Sequence, residues 1–137
     1  MNYIATSINE SPVISVKAGA AIDDVRGKAV KFDANGAAVL CAAGDAALGI
    51  GIMNNNDPIV VGGDVDIQIK DMGLVVAGAA AIKAGDELAS DANGKLIKAT
   101  DGQNVVAIAL EASSAADTYI KALLVRYAKA AAAGVGG

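Results

Sequence analysis

Asp33-Ala34-Asn35-Gly36 is repeated without change 58 positions later, as Asp91-Ala92-Asn93-Gly94. The residues that follow each tetrapeptide repeat as well. The same offset aligns Leu48, Ile50 and Ile52 with Val106, Ile108 and Leu110, and then Val65, Ile67 and Ile69 with Leu123, Val125 and Tyr127. No gap is needed across this stretch, and a repeat of fixed period is the pattern of a duplicated structural unit. The sequence therefore predicts two copies of one β-rich unit, a first copy at about 13–69 and a second copy at about 71–127.

Each tetrapeptide lies between two short runs, which are Lys28–Phe32 and Ala37–Leu40 in the first copy and Glu87–Ser90 and Lys95–Lys98 in the second. Asn and Gly tolerate positive φ, and an Asp side chain can accept hydrogen bonds from the backbone just after it. This pattern predicts two β-hairpins. Their turn residues are Asp33, Asn35, Gly36, Asp91, Asn93 and Gly94. The Asp-x-Asn spacing is also found at the start of a calcium loop, but that loop needs Gly at its sixth position and Glu at its twelfth. Gly is fourth here, so a turn is predicted and a metal site is not.

The hydrophobic pattern predicts an all-β protein with little helix, because Gly interrupts every run that could form a long helix. We expect one compact β domain at 13–128, a sandwich or barrel built from the two copies. Each copy is short and has few bulky apolar residues, so we expect the copies to share one core. A flexible N-terminal arm (1–12) and an Ala/Gly-rich, flexible tail (129–137) flank this domain.

The composition argues against several classes of function. The chain has no histidine and a single cysteine, Cys41, which leaves no intrachain disulfide, Cys/His zinc site or histidine-dependent triad. It also lacks a phosphate-binding loop and a dinucleotide fingerprint. We therefore expect no enzymatic activity, catalytic residue or cofactor.

The net charge and the hydropathy of the chain indicate which partners and which cellular location to expect. A net charge of −4 with a pI near 4.6 disfavours nucleic-acid binding, which normally needs a basic face. No apolar run has the length of a membrane span, and the first residues lack the pattern of a signal peptide. We expect a protein made in the cytoplasm, with neither nucleic acid nor membrane as partner.

Two segments are candidates for contact with other proteins. The strand at 65–69 alternates apolar and polar residues, whereas its counterpart at 118–127 is apolar on both faces, which is typical of a central or interface strand. The predicted oligomer interface consists of Tyr119, Leu123, Leu124 and Val125. In the arm, Asn2, Tyr3 and Ile4 place apolar side chains in a polar segment, which is typical of a segment that orders on a partner.

The order of five short motifs resembles a known family. An N-terminal Asn2-Tyr3-Ile4 is followed by Ile82-Lys83-Ala84-Gly85-Asp86-Glu87-Leu88, the turn Asp91-Ala92-Asn93-Gly94-Lys95, the strand Val106-Ala107-Ile108-Ala109-Leu110-Glu111-Ala112 and a closing apolar strand at 119–125. In this order and spacing, the chain resembles the small capsid cement, or decoration, proteins of bacteriophages.

The resemblance implies a non-enzymatic virion protein. Such a protein would bind the major capsid protein on the outer capsid surface as a homotrimer, and it would stabilise the capsid by bridging neighbouring subunits. It would be made in the host cytoplasm, and the arm at Asn2, Tyr3 and Ile4 would contact the capsid. Two alternatives stay open: another virion module, such as a fibre or tail component, and a β-barrel carrier or binding module that presents Lys70.

Overall fold

The chain folds into ten β-strands in a computed structural model that describes residues 11–131; the described residues contain no helix. The first copy contributes β1 (Val13–Lys17), β2 (Ala29–Phe32), β3 (Ala38–Leu40), β4 (Gly49–Gly51) and β5 (Asp64–Gln68). The second copy contributes β6 (Met72–Val76), β7 (Glu87–Ser90), β8 (Leu96–Lys98), β9 (Asn104–Ala109) and β10 (Tyr119–Ala128). The prediction of an all-β protein is confirmed.

The two copies form two antiparallel five-stranded sheets with the same strand order. The first sheet runs β1-β5-β4-β2-β3, and the second runs β6-β10-β9-β7-β8. Every strand of the second sheet therefore occupies the place of the strand five earlier in the chain. The sequence repeat is a repeat of topology as well as of composition.

Each sheet curls until its two edges meet. An isolated parallel bridge joins Ala18 to Ala38 in the first copy, and another joins Ala77 to Leu96 in the second. At the first bridge the amide of Gly19 donates to the Ala38 carbonyl at 2.9 Å. Unpaired edge strands are prone to pair with other chains, and this closure reduces the exposed edge in both copies.

The last strands of the copies do not align at 58 residues, and the ungapped alignment is wrong there. In the first sheet Gly51 pairs with Ile67, and in the second Ala109 pairs with Ala122. Ile67 thus corresponds to Ala122 rather than to Val125. The cause is the preceding connection, which has twelve residues between β4 and β5 but nine between β9 and β10. Length changes are tolerated best in such a surface connection.

The protein has two main cores, of which the copies share only one, and this corrects the expectation of a single shared core. The first core lies within the first copy and contains Ala18, Ile22, Val25, Val30, Ala38, Ile59, Val65 and Ile67. The second core is built mainly from the second copy, with Leu88, Leu96, Val106 and Ile120 among its members. Ala29, Cys41 and Ile50 of the first copy join this second core. The two sheets are therefore packed together through one of two cores.

Backbone hydrogen bonds also connect the copies. The amide of Ala29 donates to the Gly94 carbonyl at 2.7 Å, and the amide of Val76 donates to the Gly27 carbonyl at 2.8 Å. These bonds join residues far apart in sequence, so they form only when both copies are folded and docked.

Candidate assembly surfaces

The two repeated turns have the same internal geometry. The Asp33 carboxylate accepts from the amides of Asn35 and Ala37 at 2.8 and 3.0 Å. The Asp91 carboxylate accepts from the amides of Asn93 and Lys95 at 2.7 and 3.0 Å. Gly36 and Gly94 follow with φ of 77° and 81°, in the left-handed region that favours glycine. Each turn connects the hairpin strands β2–β3 or β7–β8.

The surroundings of these turns differ. A Cβ on Gly36 would meet nothing within 4 Å, whereas one on Gly94 would lie 3.1 Å from the Ala29 carbonyl oxygen. The second turn is therefore packed against the first copy. The first turn projects from the protein and leaves its side chains available to a partner.

The predicted interface residues on β10 separate onto two faces. Leu123 lies directly opposite Met72 of β6, and both side chains are exposed. Leu124 points the other way and packs against the second core. Val125 packs against a small cluster of Ala89, Ala99 and Val105, next to a register shift between residues 124 and 127. Of these three predicted residues, Leu123 is the one that the structure exposes.

A set of exposed apolar side chains surrounds Leu123. Because side chains alternate along a strand, the register of β6, β10 and β9 places Met72, Leu74, Leu110 and Leu123 on one face, which we call the apolar face. Their exposed fractions are 56%, 41%, 44% and 42%. Lys121 is exposed on the same face, opposite Leu74 on one side and Leu110 on the other. A group of exposed apolar side chains, here with one lysine among them, is typical of a protein-binding surface.

Tyr119 lies at the end of the apolar face nearest the first copy. It pairs with Val76, and its exposed fraction is 40%. A Cβ on Gly27 would come within 3.0 Å of the Tyr119 ring, so this residue also covers the junction between the copies. The structure thus places Tyr119 on the same face as Leu123, with Lys121 between them, and leaves Leu124 on the opposite face.

The equivalent face of the first copy is polar. Ser15 pairs with Asp66 in register and donates its hydroxyl hydrogen to that carboxylate. The next pair on the same face of β1 and β5 is Lys17 with Asp64, whose Nζ and Oδ1 atoms lie 2.7 Å apart. Exposed ion pairs contribute little stability, so these residues serve mainly to keep the face solvated.

An ionic cluster borders the apolar face. The Glu87 carboxylate accepts from Lys129 Nζ at 2.6 Å and from the Tyr127 hydroxyl at 2.7 Å. Lys129, and then Tyr127, hold the pKa of Glu87 below its ordinary value through these hydrogen bonds. The same bonds raise the pKa of Lys129 and of Tyr127. Lys129 opens the predicted tail, and this cluster fixes it to the second sheet.

The long connection between β4 and β5 forms a second apolar surface. Val60 and Val61 are exposed by 68% and 65% at its tip. The buried side chain of Asn55 holds the connection to β5, because its Nδ2 donates to the Asp66 carbonyl at 2.8 Å and its Oδ1 accepts from the Asp66 amide at 2.7 Å. Sequence reasoning missed these valines. A pair of adjacent β-branched residues without alternation was the available signal.

A cavity of about 210 Å³ lies where the two copies meet. Ile50 and Ile69 line it from the first copy, Leu124 lines it from the second, and Lys70 and Arg126 are at its exposed rim. Lys70 thus lies in the connection between the two sheets and not at the tip of a hairpin, where a carrier protein would present it. Its carbonyl accepts from the Gln68 side chain at 2.9 Å.

Arg126 joins the two copies at this cavity. Its Nη2 donates to the Leu48 carbonyl, and also to the Ile69 carbonyl at 3.2 Å. Both acceptors belong to the first copy, so this one guanidinium group connects β10 to the two ends of the β4–β5 region.

Cys41 is buried in the second core, and burial raises the pKa of its thiol to about 12. A thiol with so high a pKa is unreactive at neutral pH. Among residues 11–131, no group of three or more acidic or cysteine side chains is placed to hold a metal ion. No helix suited to spanning a membrane is found in that part of the chain. The arm residues Asn2, Tyr3 and Ile4 lie outside the described residues.

Together, the duplicated β fold and its exposed apolar face are those of a structural protein of a larger assembly. The assembly is a bacteriophage particle. The chain belongs to the phage cement protein family, whose model matches residues 40–126, and it is a structural protein of the phage virion. This match confirms the family indicated by the sequence motifs.

Comparison with solved structures gives the same picture of the fold. The chain is similar to the head fibre gp8.5 N base of bacteriophage phi29, with a TM-score of 0.62 and 17% sequence identity over 85% of this chain and 95% of that one. At this identity the likeness shows a shared fold. No curated protein matches the chain.

Proposed function

We propose that this protein binds the outer surface of a phage capsid and stabilises it by bridging neighbouring copies of the major capsid protein. The match of residues 40–126 to the phage cement family carries the proposal. The role is structural and not catalytic, and it needs no cofactor.

The protein associates with itself through the apolar face, as a trimer. Two exchanges between equivalent faces support this: Leu123 stands where the first copy has Gln68, and Leu74 stands where it has Ser15. A partner that covers this face would remove apolar surface from water, at about 25 cal/mol for each Å². A ring of three copies would also multiply weak contacts to the capsid.

Capsid contact is made by the arm around Asn2, Tyr3 and Ile4, together with the first turn at Asp33–Gly36, which the second copy does not cover. Removing residues 1–8 should weaken binding to particles but leave the domain folded.

Co-sedimentation with particles that lack this protein tests the capsid claim. The full chain should pellet with the particles and saturate, and it should raise the temperature at which they release DNA. A chain that stays in the supernatant would contradict the proposal. Attachment at the tail or at a fibre, seen by electron microscopy, would favour the alternative virion role.

Self-association is tested by analytical ultracentrifugation of Leu123→Ser. The matched control is Val61→Ser, which removes an apolar side chain of greater exposure from the β4–β5 connection. We expect Leu123→Ser to weaken association roughly tenfold and Val61→Ser to leave it unchanged. Equal effects of the two variants would show that the apolar face is not the interface.

A further inference from the structure

The cavity between the copies has a lining suited to one apolar side chain. Its walls are formed by Ile50, Ile69 and Leu124, and its volume of about 210 Å³ is ample for a single branched aliphatic group. Its rim is cationic, since Lys70 and Arg126 are both exposed there. A suitable occupant therefore combines a bulky aliphatic residue with a nearby carboxylate.

The first described residues of the chain lie beside this cavity. The Pro12 carbonyl accepts from the amide of Ile69 at 2.8 Å, so the backbone before β1 lies against a residue of the cavity wall. Ten residues precede the described part of the chain, and they are joined to it through Ser11, next to the cavity.

Those ten residues contain the required combination. Ile8 stands three positions before Ser11, a reach of about 10 Å in an extended chain, and Glu10 is the one acidic residue among them. Glu10 lies in the sequence between Ile8 and the attachment at Pro12. A chain that places Ile8 inside the cavity therefore brings the Glu10 carboxylate to the rim of the cavity. The C-terminal end of the chain offers a poorer occupant, because residues 132–137 contain one branched side chain, Val135, and no acidic side chain.

We propose that the cavity is the binding site for the base of this chain's own N-terminal arm, with Ile8 in the cavity and Glu10 at Lys70 and Arg126. The inference is independent of the proposed capsid function. It assigns two roles along one segment: residues 8–10 hold the arm to the junction of the two copies, and residues 2–4, farther from Pro12, extend from it. Filling the cavity also stabilises the docking of one copy on the other.

Methyl-labelled NMR spectra of the full chain test this directly. Ile8→Ser should shift the methyl resonances of Ile69 and Leu124 and lower the melting temperature by roughly 5 °C. The matched control is Ile4→Ser, an identical exchange in the same arm, which should change neither. Deleting residues 132–137 should likewise leave these resonances in place. Unchanged resonances in Ile8→Ser, or the same shifts on deletion of the tail, would overturn the proposal.

A spin label decides whose arm is bound. The variant Ser7→Cys can carry a nitroxide with the native cysteine kept, because Cys41 is buried and its thiol has a pKa of about 12. The label should broaden the Leu124 methyl signals of its own molecule. In a mixture of spin-labelled protein without isotope and isotope-labelled protein without spin label, no broadening is expected. Broadening in the mixture would show that a neighbouring copy supplies the arm and would contradict the intramolecular assignment.

Discussion

The outer faces of β1–β5 and β6–β10 have the same backbone pairing and opposite chemistry. In the first copy, the pairs across this face are Ser15 with Asp66 and Lys17 with Asp64. In the second, Leu123 lies opposite Met72. Since the strand order is shared, the fold does not require either pattern, and we infer that the apolar pattern of the second copy is adapted to a partner.

The copies also differ in their neighbours. The second turn is packed on Ala29 of the first copy, while nothing lies near the Cβ position of Gly36. The two turns are thus equivalent in the fold but differ in their surroundings. The second turn packs between the copies, and the first turn is free to contact another protein.

The largest effect is expected at two isoleucines that the repeat makes equivalent. Ile50 is 2% exposed within the second core, whereas Ile108 is half-buried on the outer side of the second sheet. Ile50→Asp should cost more than about 4 kcal/mol and unfold both copies, because it buries an unpaired charge. Ile108→Asp should cost about 1–2 kcal/mol.

Urea denaturation followed by Cys41 alkylation measures both isoleucine variants. The thiol is buried among residues of both copies, so its labelling reports their separation. If the two variants lost equal stability, the assignment of distinct environments to these positions would be wrong.

A smaller effect is expected at the turn glycines. Gly36→Ala should cost about 1 kcal/mol, the usual penalty for a Cβ in the left-handed region. Gly94→Ala should cost about 2–3 kcal/mol, because the new Cβ also meets the Ala29 carbonyl oxygen at 3.1 Å. Thermal unfolding compares them, and a larger loss for Gly36→Ala would contradict the packing of the second turn.

The ionic cluster on the second copy predicts a pH dependence. The pKa of Glu87 is lowered in the folded protein, so its contribution is complete above the ordinary value of 4.5 and is lost as the pH falls through the folded-state pKa. The melting temperature of Glu87→Gln should therefore approach that of the unmodified protein as the pH falls below that range. Lys129→Gln is the control for the cluster and should show the same convergence. A difference that grows at low pH would have the wrong sign.

The smallest change in stability is expected on the apolar face. Leu74→Ser recreates the residue that the first copy carries at the equivalent position, and Leu74 is 41% exposed. Its unfolding free energy should change by less than about 0.5 kcal/mol, although association weakens. A large loss of stability in the monomer would show that Leu74 serves the fold and not an interface.

Much of the fold could be predicted from the sequence because short-range chemistry determines it. Asp33 and Asp91 each accept two backbone hydrogen bonds within their own turn, so identical tetrapeptides gave identical hairpins. The strands β1 and β6, which open the two copies, were not predicted, although they occupy equivalent places 59 residues apart.

The register of β10 could not be predicted in this way. It depends on the length of the connection before it, and a connection three residues shorter shifts the equivalent of Ile67 from Val125 to Ala122. An odd shift exchanges the two faces of a strand, which is why Leu124 faces inward while Leu123 faces outward. Met72 and Leu74 were missed for a related reason, since their exposure depends on which strand covers them.

We propose that the protein binds the outside of a phage capsid and presents the apolar face of its second copy to another copy of itself. Cryo-electron microscopy of particles that lack this protein, incubated with the full chain, tests it most directly. We expect added density on the outer capsid surface. The bound copies should form trimers, with Met72 and Leu123 at the contact between neighbouring copies. Two results would contradict this proposal: no added density on the capsid shell, or added density in which the apolar face points to solvent.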